Sequence, residues 1–341
     1  MKALMLTLLA LLLCADSRAA EWVRAGVNTN QPIWGLRGGL QFAVHPGSFR
    51  GREGGPRGLI RLGYTVHVER RYDLINFIAV EPVVQGRKGF SELEHSKLDN
   101  RQGKRMWAGD SGDGQAVPAL DPGNFSQPAP GVEQLEVTLR VEKFDNGAHV
   151  RLVLAQRSDA PDEVALNIRM EPDSAPLEYC ILTATMGNLA RTRQLWLKDE
   201  IVSSLKLYPN YKGAAFAEHT RFPLDRLFRT PAGDVLVAVT TDEEHPAAAR
   251  PFPNTDHWYY GGAKVTQYWR KPNGACRADL HAVVNARFTY WQSQQPIPGG
   301  IAFENFELRE RFYKGQQFLF GITRQTPRAL GLARATESPV P

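Results

Sequence analysis

The sequence predicts an all-β protein, a large antiparallel β-sandwich, on three observations. Period-two and continuously apolar runs recur along the chain, while helical periodicity is scarce. Asp145-Asn146-Gly147 stands between two alternating runs, Gln134 to Phe144 and Ala148 to Gln156, and Asn-Gly in that setting is a strong hairpin signal. The 30 Gly and 23 Pro in 341 residues supply the turns that many short strands need.

The elements follow in order. Leu59 to Val66 is a short β-prone run. Leu74 to Val84 is almost continuously apolar, as in a strand buried on both faces. After the hairpin come Val164 to Met170, Leu177 to Met186, Val235 to Thr240, Leu280 to Trp291, Ile301 to Phe312 and Gln317 to Thr323. Arg191 to Leu207 is long enough for a helix, but its β-branched and aromatic content also fits strand and loop. Ala108 to Gln115 and Pro118 to Gly131 read as loops within one domain. Thr326 to Pro341 has no pattern and is expected to be disordered. No fixed-period repeat supports a propeller or solenoid.

The first nineteen residues read as a secretory signal peptide. Lys2 precedes the apolar run Leu4 to Leu13, and Ser17 and Ala19 are small residues placed for cleavage after Ala19. The run is about half the roughly twenty residues that span a bilayer, so no stable membrane insertion is expected. Acylation at Cys14 is the alternative, and Leu13 fits it poorly. The domain plan is therefore a signal peptide at 1–19, one large sandwich at 20–325 and a tail at 326–341. Localisation is expected to be secreted or periplasmic.

Removing residues 1–19 loses two cations and one anion, taking the formal charge from +5 to about +4. Lys and Arg are scattered among acids without a basic stripe, which argues against nucleic acid as a partner. Cys180 and Cys276 remain, and an oxidising compartment permits a bridge; two free thiols is the plainer reading.

Motifs for an esterase elbow, a phosphate loop and a zinc helix are missing, so no cofactor and no metal are expected. Asp110-Ser111-Gly112-Asp113-Gly114 lacks the distal acids of a calcium loop and reads as a turn.

Three segments could carry chemistry. In His257 to Arg270, strand parity puts Tyr260, Lys264, Thr266, Tyr268 and Arg270 on one face, and Tyr259, Ala263, Val265 and Trp269 on a core face. Rings stack on sugars, and Lys or Arg can hold a carboxylate; a solvated face is the plainer alternative. His257, Lys264, Tyr268 and Arg270 are the candidate substrate-binding residues, with Tyr260 as a candidate catalyst. Arg87 to Ser96 follows a core strand and gathers Glu92 and Glu94 as binding residues beside His95 as a candidate base. In Phe303 to Phe312, parity puts Glu304 with Phe306, Leu308 and Phe312, while Asn305, Glu307, Arg309 and Arg311 share the other face. A carboxyl in an apolar phase is costly unless paired or protonated, so Glu304 is a candidate catalyst. Glu81 has the same oddity, and Asn76 needs partners for its amide. Arg191, Arg193, His219 and Arg221 are further loop-side cations, and Tyr208 and Tyr211 flank a Pro209-Asn210 turn that could present both rings at a cleft.

The many strands, the length and the export signal resemble the galactose-mutarotase-like supersandwich of sugar epimerases and of polysaccharide lyase and glycosidase domains. The resemblance is architectural, covers about residues 25 to 325, and assigns no site residues. It implies carbohydrate chemistry. The expected function is cleavage of an extracellular polysaccharide or oligosaccharide, an acidic one in the sharper form, by β-elimination or hydrolysis. The other reading is a non-catalytic carbohydrate-binding or cell-envelope protein.

Overall fold

The computed structural model describes residues 20–47, 56–66, 71–109, 120–185, 191–241, 265–290 and 294–332, with side chains omitted at 65–66 and 71–75. The strands are β1 (Trp22–Val23), β2 (Ile33–Leu36), β3 (Leu40–Ala43), β4 (Leu59–Val66), β5 (Arg71–Val84), β6 (Arg87–Lys88) and β7 (Met106–Ala108). Next come β8 (Asn124–Ala129), β9 (Val132–Val141), β10 (Val150–Arg157), β11 (Glu163–Met170), β12 (Tyr179–Thr185), β13 (Gln194–Trp196) and β14 (Ile201–Ser203). The last are β15 (Thr220–Pro223), β16 (Phe228–Arg229), β17 (Val235–Thr240), β18 (Thr266–Lys271), β19 (His281–Arg287), β20 (Ala302–Arg309) and β21 (Gln317–Thr323).

They form two antiparallel sheets. One runs β1-β2-β3-β4-β5-β12-β20-β19-β15, with β6 on β5, ten strands in all. The other runs β14-β13-β17-β18-β21-β11-β10-β9-β7, with β16 on β17 and β8 on β9, eleven strands in all. Alternating residues of both sheets meet in one core: Ile78, Val80, Leu182, Phe306 and Leu308 from the first, Leu139, Leu152, Leu166, Trp269 and Phe320 from the second. Each such side chain contributes roughly 1.5–3 kcal/mol by leaving water. The fold is the all-β sandwich that the sequence predicts.

Polar groups also cross the core. Asn76 Nδ2 donates to Gln267 Oε1 at 2.5 Å, which supplies a partner for one end of its amide, while Asn76 Oδ1 is buried without one. Trp269 Nε1 donates to the Phe306 carbonyl at 2.8 Å, tying β18 to β20.

The hairpin forms as predicted, with Gly147 at φ +89° and Asn146 Oδ1 accepting from the Ala148 N–H. Two expectations change. The segment expected to be loop from Pro118 contains β8, because pairing with β9 outweighs its Pro and Ser content. The tail expected to be disordered from Thr326 begins ordered. Leu330 N–H bonds Thr326 O, and buried Leu332 packs with Leu236 and Tyr268. Arg191 to Leu207 resolves into β13, β14 and one helical turn, Ser204–Leu207. Cys180 and Cys276 are free thiols. Among the described residues no helix is long and apolar enough to cross a membrane.

Candidate functional site

On the ten-stranded sheet, β5, β12 and β20 lie side by side. Ile78 and Val80, Leu182 and Ala184, and Phe306 and Leu308 enter the core, so alternation turns Glu81, Thr183 and Glu307 to the outward face. There Thr183 Oγ1 lies 2.8 Å from Glu81 Oε2 and also bonds Glu307 Oε2. Lys88, from β6 beside β5, pairs with Glu81 through Nζ. Arg309 donates through Nε to Glu307 Oε1 at 2.5 Å. Glu81 is 4% exposed and Glu307 1%. Along the same face Thr185 and Asn305 are half-buried and His219 is exposed.

A threonine hydroxyl has one proton to donate. Between two ionised carboxylates it can satisfy one and leaves the other opposed, lone pair to lone pair. The contacts on both sides of Thr183 therefore require a proton on one carboxyl. Of the two, Glu81 is the one whose hold on a proton is shifted upward. Burial raises its pKa above the ordinary carboxyl value, Lys88 opposes the rise, and Glu307 adds to it. Glu92 joins the same cluster. Burial, then the nearby Glu81 charge, pushes its carboxyl up to about 7.

His219 completes one side. Asn285 Oδ1 accepts from the Asn305 N–H at 3.0 Å, which leaves Asn285 Nδ2 as the donor facing His219 Nε2 at 3.4 Å. That contact needs an unprotonated Nε2. Burial also holds the imidazole below its ordinary pKa, against the pull of Glu307.

Glu304 lies farther along β20, and its predicted phase does not survive. Phe303 and Phe306, three apart, both enter the core, so alternation breaks between them. A register shift opposite Val284 and Ala286 absorbs the extra residue. Glu304 comes beside Arg287 instead. Burial pushes its carboxyl up to about 7, with Arg287 opposing.

The other candidates disperse. Glu94 accepts from the Phe90 and Asp145 N–H groups and pairs with Lys104 at 3.2 Å, which ties its own loop. His95 is exposed and gives its carbonyl to Lys104. Thr266, Tyr268 and Arg270 do share the outward face of β18, with Trp269 inward. Tyr268 is 8% exposed beneath Leu332, and burial drives its phenol pKa up. Arg270 bonds Glu163 through Nε at 2.8 Å and Asp234 through Nη1 at 2.6 Å. His257, Tyr260 and Lys264 lie outside the described residues.

Thr183, the link between the two carboxyls, carries no sequence signal, because threonine is an ordinary strand residue. Among the described residues no group of three or more His, Cys, Asp or Glu side chains is placed to hold a metal. No family model, no curated protein and no solved structure matches the chain.

Proposed function

We propose that this chain is a secreted carbohydrate-active enzyme that hydrolyses glycosidic bonds of an extracellular polysaccharide at Glu81 and Glu307. One observation carries the proposal: a single hydroxyl joins the two carboxyls, so one of them keeps a proton beside the other. Glycoside hydrolysis needs that pair, an acid for the leaving oxygen and a carboxylate for the sugar. In this scheme Glu81 gives its proton to the glycosidic oxygen as that bond breaks, and Glu307 forms the ester to the anomeric carbon. Water then cleaves the ester, returning its proton to Glu81. Lys88 and Arg309 fix the two carboxyls. The resemblance to galactose-mutarotase-like proteins belongs to this proposal and supports the same substrate class.

A second reading rests on His219. A neutral imidazole beside the Asn285 and Asn305 amides suits β-elimination of a uronate polymer, with the amides stabilising the carboxylate and His219 removing the α-proton.

The test is a panel of neutral and acidic polysaccharides assayed for new reducing ends and for the ultraviolet absorbance of an unsaturated product. Hydrolysis gives reducing ends without absorbance. Glu81→Gln and Glu307→Gln should each lower kcat by about 10²–10⁴. Absorbance that His219→Ala abolishes replaces hydrolysis with elimination. Binding without cleavage by the wild type rejects both in favour of a binding protein.

A further inference from the structure

The outward face of the eleven-stranded sheet carries a groove of about 550 Å³, within the range of ligand sites. Its floor is one cross-strand row. The register sets Glu136 beside Ala155, Ala155 beside Ala165, Ala165 beside Leu319, and Leu319 beside Arg270. Five strands at the usual spacing make a row roughly 19 Å long. Its middle is apolar, Ala155, Ala165 and Leu319, and its ends are a carboxylate and a guanidinium. Half-buried Gln134 flanks the floor on one side, and half-buried Asn167 and Gln317 flank it on the other.

We propose that this groove is a second, non-catalytic site that binds an uncharged oligosaccharide segment. The groove offers a low apolar strip between planar polar groups, which matches a sugar ring with an apolar C–H face and a rim of hydroxyls.

Charge selects among glycans. Arg157 is bonded to Asp159 at 2.8 and 2.7 Å. Arg270 is bonded to Glu163 and Asp234. The lining thus sets three carboxylates, Glu136, Asp159 and Glu163, against two guanidiniums. It holds no surplus positive charge for a uronate. Arg270, expected from sequence to grip an acidic glycan, is already occupied by carboxylates and serves as a rigid end wall.

Affinity electrophoresis of the full protein decides the matter, with native gels containing xyloglucan, galactomannan or mixed-linkage β-glucan, and others containing alginate or polygalacturonate. At least one uncharged polymer should retard the wild type, and the acidic polymers should not do so through this groove. Ala165→Trp fills the floor and should abolish retardation. The double variant Asn167→Ala, Gln317→Ala changes only half-buried side chains and should weaken binding by about tenfold, which keeps the test valid if the tryptophan does not fold. Glu81→Gln should leave retardation unchanged, so loss of hydrolysis and loss of groove binding are read separately. Retardation by none of the uncharged polymers overturns the proposal, as does retardation that survives both groove changes.

Discussion

The two outward faces of the sandwich treat charge in opposite ways. On the ten-stranded sheet, Glu81, Glu304 and Glu307 are almost wholly removed from water and are held by Lys88, Arg287, Arg309 and one shared proton. On the eleven-stranded sheet, Arg157 and Asp159 pair at the surface, each nearly half exposed. The difference lies in the solvent around these pairs: desolvation raises the Glu81 and Glu304 carboxyl pKa values, whereas water screens Arg157 and Asp159. Reactive protons therefore belong on the first face, and the second offers shape and hydrogen bonds.

This contrast can be broken most sharply at Arg309. Arg309→Met leaves Glu307 buried without its guanidinium, and breaking such a pair should cost about 3–5 kcal/mol in urea unfolding at neutral pH. A loss below 1 kcal/mol would show that water reaches Glu307.

The next effect is a pH dependence. Glu304 ordinarily titrates at 4.5 and in the fold at about 7, so the folded state binds its proton more tightly. The resulting stability is fully present below 4.5 and is lost as pH rises to about 7. Across that window the loss should be on the order of 3 kcal/mol, measured as wild type minus Glu304→Gln. Parallel curves for the two proteins would place Glu304 in contact with solvent.

The smallest effect belongs to the open face. Arg157→Ala should change stability by no more than about 1 kcal/mol, and less in high salt. A loss as large as that at Arg309 would erase the distinction between the faces.

Sequence alone carried the fold a long way. β4, β17 and β21 coincide with their predicted runs, because an alternating or apolar run bounded by turn residues has few other ways to bury its side chains. The short strands β1 to β3 and β13 to β16 were not legible, since two to four residues hold no period and form only through their neighbours. The site was half legible. Glu81 and Glu304 stand out as acids in apolar runs, and Glu92 as a carboxyl after a core strand. Their grouping depends on which strands become neighbours, and β5, β12 and β20 meet across more than a hundred residues of chain. The bulge beside Glu304 was invisible, because one extra residue reverses a phase without altering the composition.

The indole of Trp269 acts as a dowel through the sandwich. Its strand bears Arg270, the end wall of the open groove, on the outer side, and its N–H grips the Phe306 carbonyl, one residue from Glu307. In a close-packed interior, neither sheet can slide past the other without breaking this bond and leaving a buried donor unmet. The two outward faces thus keep a fixed registry, and a chain held against one is presented at a constant offset from the carboxyls of the other.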